Sequence, residues 1–302
     1  MFFKNLTLFR FPNALRDSLE DLETALDEHR LKPVGALEMS SRGFVSPFGR
    51  DDAAMSHQVN EAVWVMLGGE DKILPSIVVN DLVAKKALEI EEAEGKRLGG
   101  RARKRLKDEL LHELLPKAFA KPMRTSAHLD LNAGIAAVDT SSRKSAEELL
   151  SELRKALGSF PAVTVNSEVA PRSILTAWLA GEPLPAGLLL GDECELKDPV
   201  DRGAVVKCTR QELSADEVAK HLEAGKQCSR LALVFDDHLS FVLGDDLVVR
   251  KLKFLDGAVE SLEGGELDSV RAELDARYAL MVGELRRLFA MLESAFKLSA
   301  YE

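Results

Sequence analysis

Ten lysines and arginines fall within the 29 residues from Lys96 to Arg124, against three acids, Asp108, Glu109 and Glu113. The local net charge is +7 in a chain whose total is −10, so everything outside this segment sums to −17. Ammonium and guanidinium groups at this density suit phosphate, contacting backbone oxygens of a polyanion without reading bases. Arg101, Arg103, Lys104, Lys107 and Lys117 are the candidate contacts, and the acidic remainder keeps the protein soluble. The rival readings are a merely solvated helix face and a protein-interaction module built on the same segment. No zinc-finger, RNP or helix-turn-helix pattern is present, and two Trp and two Tyr offer no stacking platform for single strands. Duplex DNA is the expected polyanion.

Other chemistry has weaker signals. Acid pairs occur at Asp51-Asp52, Asp236-Asp237 and Asp245-Asp246. The last two fall between expected strands, where Asp favours turns; the alternative is a metal-dependent nuclease using all four of those carboxylates. The segment Gly95-Lys96-Arg97-Leu98-Gly99-Gly100 is glycine-rich and basic but lacks the spacing of a phosphate loop. It reads as a turn between helices. Serine, histidine and acid residues show no nucleophile-elbow pattern, and the six histidines show no metal-ligand spacing. Cys194, Cys208 and Cys228 form no CxxC pair and read as free thiols filling a core in a reducing cytoplasm. Neither metal nor cofactor is expected.

The elements that must position these residues alternate in texture. Lys4–Phe11 reads as a strand, Ala14–His29 as a helix on Leu15, Leu19, Leu22 and Leu26, and Gly43–Val45 and Ala62–Leu67 as strands. Ile77–Glu94 and Arg101–Leu115 then form a helical hairpin ending at Pro116, with Leu106, Leu110, Leu111 and Leu114 as one stripe. Strand and helix signals resume. Ala127–Leu131 and Ile135–Val138 flank a hairpin turn, Ser145–Leu157 is a helix closed by Gly158, and Ile174–Ala180 is a shorter one. Later strands are expected at 188–190, 204–208, 231–235, 239–243 and 247–254. Ser214 and Glu217 have the spacing of a capping box for a helix to Glu223. Leu267–Leu298 closes the chain as a helix whose apolar stripe is long enough to pack on a neighbouring chain as well as its own. The fold class is α+β. No apolar run approaches the ~18 residues of a membrane span, and the N-terminus lacks the pattern of a secretory signal.

The order and spacing of several peptides resemble the RdgC family of recombination-associated proteins: Phe3-Lys4-Asn5-Leu6, Lys72–Ser76, Leu106–Glu109, Leu114–Phe119, Leu153–Ser159, Glu223–Lys226, Leu252–Phe254 and Met281–Leu285. The resemblance spans nearly the whole chain. It implies a central α/β body (1–73 and 123–266), a helical tip (74–122) and a helical base (267–302), assembled as a ring-shaped homodimer around a positively charged hole. It further implies binding to double-stranded DNA with little sequence preference, restraint of RecA-promoted strand exchange and no enzymatic activity, hence a cytoplasmic, nucleoid-associated protein with no membrane partner. On the family's pattern, Arg97 takes a basic tip position, Phe119 the tip's aromatic, and Arg210-Gln211 a basic-polar pair linked with DNA binding. Arg-Gln replaces the Lys-Gln of relatives, which keeps the charge and changes its geometry. Leu114, Leu115 and Phe119 are expected at a self-complementary tip contact that opens for loading. From the residues alone, Phe119 either wedges against a partner or folds back on the hairpin.

Overall fold

The computed structural model describes residues 2–12, 21–49, 52–200, 203–263 and 269–300. In chain order these residues form β1 (Thr7–Arg10), α1 (Leu22–Glu28), β2 (Ser40–Phe44), β3 (Ser56–Val59), β4 (Ala62–Lys72), α2 (Ser76–Glu94), α3 (Gly100–Leu114), β5 (Ala120–Asp130), β6 (Ile135–Val138), α4 (Arg143–Leu157), β7 (Val163–Thr164) and α5 (Pro171–Leu179). There follow β8 (Leu188–Lys197), β9 (Val205–Thr209), α6 (Asp216–Glu223), β10 (Gln227–Phe235), β11 (Leu239–Gly244), β12 (Val249–Phe254), α7 (Asp256–Glu263) and α8 (Val270–Phe296). The class is α+β with antiparallel pairing. Two compact units emerge: residues 1–28, 46–66 and 125–302 in the first, 29–45 and 67–124 in the second.

The first unit holds two antiparallel sheets. One runs β4-β5-β6-β1-β7, with β3 also on β4; the other runs β12-β11-β10-β8-β9. Period-two patterning sets the second sheet. Leu231, Leu233 and Phe235 of β10 and Leu239, Phe241 and Leu243 of β11 are all buried, while Arg230, Val234 and Ser240 at alternate positions are more open. Asp236 and Asp237 turn β10 into β11 with φ of 50° and 56°, and His238 N closes the turn on Phe235 O at 3.0 Å. Asp tolerates this left-handed geometry, which is why the acid pair sits there. Leu6 and Val249 exchange both backbone hydrogen bonds, at 2.8 and 3.0 Å, and stitch the two sheets together.

Helix α8 closes this core. Tyr278, Met281, Leu285, Leu288, Leu292 and Phe296 are all buried in it, each contributing roughly 1.5–3 kcal/mol of transfer free energy. Its own chain therefore uses the stripe from Tyr278 onward, and Val270 at the start of the helix stays exposed. A polar network lies along the same helix. Asp130, fully buried, accepts from Arg286 Nε at 2.6 Å, and Arg286 also reaches Asn60 O at 2.7 Å. His128 Nδ1 lies 3.1 Å from the Tyr278 hydroxyl.

The second unit pairs β2 with the end of β4, Phe44 opposite Leu67 through Ser40 opposite Asp71. Gly43 and Gly68 are register partners. A Cβ on Gly43 would lie 2.4 Å from Leu31 Cα, so only glycine lets residues 30–31 cross there. Two helices follow. Gly95 ends α2 at φ 65° in the left-handed C-cap that favours glycine. Ala87, Leu106 and Leu110 form the small hairpin core, flanked by Leu82, Val83, Ile90 and Leu98.

Several boundaries differ from the sequence reading. β5 begins at Ala120 and β8 extends to Lys197, because exposed strand ends such as Lys121 and Arg124 carry no burial pattern to read. Strand β3 and helix α7 were not anticipated. The capping box is not formed. Ala215 is the N-cap of α6 without a side-chain bond; Ser214 Oγ donates to Glu212 Oε1 at 2.8 Å, and Gln211 Nε2 takes Glu217 at 2.7 Å. The expected helix from Ala14 is seen from Leu22; its first part, with Leu15 and Leu19, lies outside the described residues, as do Asp51, Leu267 and the chain's last two positions.

Candidate nucleic-acid interface

The cationic face belongs to the start of α3. Arg101, Lys104 and Arg105 stand at i, i+3 and i+4, the spacing that brings side chains together on one side of a helix. All three are exposed, as is Arg97 in the turn before them. Among the described residues none of these four makes an ion pair. The first turn of α3 carries no acid, although the helix dipole favours negative charge at that end. Like charges stacked at the positive end of a helix are mutually unfavourable, and a bound anion relieves them.

Other predicted cations are already engaged. Arg103 pairs with Glu91 at 3.0 Å, Lys107 Nζ donates to Asn80 Oδ1 at 3.1 Å, and Lys117 lies 3.5 Å from Glu113. The Leu98 N–H, then Arg103, hold the Glu91 carboxyl below its usual range. Glu91 and its neighbours Glu89, Glu92 and Glu94 expose a point the charge count missed. Across 74–122 the hairpin holds eleven bases and eight acids, a net of +3. The asymmetry lies within the hairpin, acidic at the end of α2 and basic at the start of α3.

Phe119 does not fold back on the hairpin: it is 84 % exposed, anchored through its carbonyl, which accepts from Ile73 N at 2.8 Å. Ile73 and Ile77 are exposed with it. Leu115 is buried and its carbonyl accepts from Lys72 Nζ at 2.8 Å; Leu114 is half-buried. Of the three expected contact residues, Phe119 alone presents its whole side chain.

Arg210 and Gln211 lie in the first unit, just past β9. Arg210 is exposed with φ 55°. Gln211 N donates to Asp192 O at 3.1 Å, and its side chain is committed to Glu217.

The four carboxylates of the nuclease reading do not converge. Asp236-Asp237 and Asp245-Asp246 flank opposite ends of the six-residue strand β11, about 20 Å apart, whereas paired catalytic metals sit roughly 4 Å apart. Three of the four are held by arginine instead: Asp236 by Arg287, Asp245 by Arg172 Nε at 2.9 Å and Asp246 by Arg250 Nη1 at 2.9 Å. Burial alone would raise the Asp246 carboxyl, but the Arg250 hydrogen bond and charge bring it below its usual range. The glycine-rich segment joins two helices, and all three cysteines are buried.

These features define an α+β protein with a cationic helical hairpin. Comparison with known proteins gives its relatives. The family described as "Putative exonuclease, RdgC" matches residues 1–299. The recombination-associated protein RdgC of Xanthomonas campestris pv. campestris strain B100 is 65 % identical over 303 residues, covering all of both chains. That of Xanthomonas axonopodis pv. citri is also 65 % identical over both full lengths, and that of Stenotrophomonas maltophilia is 62 % identical over 99 % of each. The chain belongs to the RdgC family. Its relatives carry the name of a recombination-associated protein rather than of an enzyme. Among the described residues no helix is long and apolar enough to cross a membrane.

Proposed function

We propose that this chain is a non-catalytic, sequence-independent binder of double-stranded DNA that closes around the duplex as a ring-shaped homodimer and restrains RecA-promoted strand exchange. The observation that carries the DNA-binding part is the exposed cation group of Arg101, Lys104 and Arg105 at the dipole-positive end of α3 and Arg97 in the turn before it. Arg210 adds an exposed cation elsewhere, with Gln211 beside it; Arg103 and Lys107 contribute charge while linking α3 to α2, and Lys117 contributes charge beside Glu113. The ring, the division into tip, body and base, and the antagonism of RecA follow from the family resemblance; the recombination-associated names of the relatives support a role in recombination. Phe119 forms the self-complementary tip contact, with Leu114 beside it and Leu115 supporting it from below. The site of action is the nucleoid in the cytoplasm.

A topological assay tests this reading. Protein loaded on closed circular DNA is washed at high salt, and the DNA is then cut once. Retention on the circle followed by release on cutting is the expected result. Equal loss before and after cutting rejects the ring. The family description favours a second reading, an exonuclease, and the same DNA incubated with Mg²⁺ or Mn²⁺ decides it: intact ends support the binder, and progressive shortening overturns the non-catalytic assignment.

A further inference from the structure

The three thiols of this chain are not equivalent. Cys194 of β8 and Cys208 of β9 are direct register partners. Opposed residues of an antiparallel pair lie roughly 4.5–5.5 Å apart at Cα, inside the roughly 4.4–6.8 Å that a disulfide spans. Their side chains share one side of the sheet. Cys228, on the other neighbour of β8, is opposite Leu196 and has no cysteine across from it. Strand β9 is the edge of its sheet, with β8 as its one strand neighbour. Both thiols face the hydrophobic core, away from the pocket that Glu193, Glu195, Lys207 and Arg230 line on the other side of the strand pair, so an oxidant reaches them when edge strand β9 opens locally.

We propose that Cys194 and Cys208 form a two-electron modification site, which a hydroperoxide converts into a cross-strand disulfide that staples edge strand β9 to β8. The Cys208 thiolate attacks a peroxide oxygen, the O–O bond breaks, and the departing hydroxide takes a proton to become water. Cys208 is then a sulfenic acid. The Cys194 sulfur attacks it, the S–S bond forms, the S–O bond breaks, and water leaves with the Cys194 proton. Two thiols are oxidised and one hydrogen peroxide is reduced to two waters. Burial, then the neighbouring Cys208, pushes the Cys194 thiol up to about 12. Because thiolate is the reactive form, closure of the S–S bond by Cys194 is slow at neutral pH and accelerates as pH rises. The next rung beyond the pair is Gln211 N to Asp192 O, so the staple fixes the strand immediately before Arg210. The inference is independent of the DNA-binding reading.

The test treats the native protein with hydrogen peroxide, counts thiols and maps the linkage by mass spectrometry. The expected result is a fall from three free thiols to one, a single Cys194–Cys208 linked peptide pair, and full recovery with dithiothreitol. Hydrogen exchange of the β9 amides should slow in the oxidised form. C228S should behave as wild type, whereas C194S should stop at a sulfenic or more oxidised Cys208. If a substitution unfolds the chain, the wild-type linkage map alone still decides. Three thiols that stay unreacted, a link through Cys228, or a link between two chains would each overturn the proposal.

Discussion

Helix α8 and the α2–α3 hairpin are both amphipathic by sequence, yet they use their apolar residues differently. In α8 the stripe from Tyr278 to Phe296 is buried in its own unit, and a buried carboxylate, Asp130, is held by Arg286. The hairpin buries only Ala87, Leu106 and Leu110 as its core. It leaves Ile77 and Phe119 in solvent, with Arg101, Lys104 and Arg105 exposed at the start of α3 and Arg97 exposed in the turn before it, none of them in an ion pair among the described residues. The first pattern is that of an element held for stability. The second leaves interaction free energy unused in the isolated chain, as a surface does when its partner lies elsewhere.

Substitutions can break that contrast. The largest effect is expected from Arg286→Ala, which leaves Asp130 charged and buried with no cation; a loss of about 3–5 kcal/mol should appear in urea unfolding. Leu285→Ala should cost about 2–5 kcal/mol through the cavity it leaves. Acid should act on the same region. Burial lowers the His128 imidazole to about 4, opposed by Asp130 and assisted by Arg286, and its Nε2 has no hydrogen-bond partner. A depressed folded-state value means the unfolded chain takes up the proton first. The stability His128 contributes is complete above about pH 6.5 and drains away as pH falls toward 4, by about 3 kcal/mol in total. His57, also lowered by burial, adds in the same direction. Unfolding measured from pH 7 to 4 should show this slope, and His128→Gln should flatten it. At the small end, Phe119→Ala should move monomer stability by no more than about 0.5 kcal/mol while reducing self-association in sedimentation experiments. An equal loss of folding and association would erase the distinction between the two regions.

The contrast was only partly readable in the sequence. The helices of the hairpin were legible nearly to the residue, because Pro75, Gly95 and Pro116 punctuate them and leucines recur between. So was α8. The outcome for Phe119 was not legible, since a lone aromatic after a helix satisfies both burial and exposure until the backbone is placed. Charge counting located the basic segment but not its face: Glu91 had to be seen beside Arg103, and Asn80 beside Lys107, before the unpaired set shrank to the start of α3. Gln211, a candidate contact by resemblance, is drawn to Glu217 across a turn, which also removed the capping box expected of Ser214. The Cys194–Cys208 pair was invisible because strand register is a property of the sheet, not of either strand alone.

The most direct test is the salt dependence of duplex binding by the fourfold variant R97A/R101A/K104A/R105A beside wild type, with unfolding curves as a control. The account predicts unchanged folding, weaker binding on every DNA sequence, and a log-log salt slope shallower by about 0.9 for each phosphate contact removed. An unchanged affinity and slope in a folded variant would contradict it.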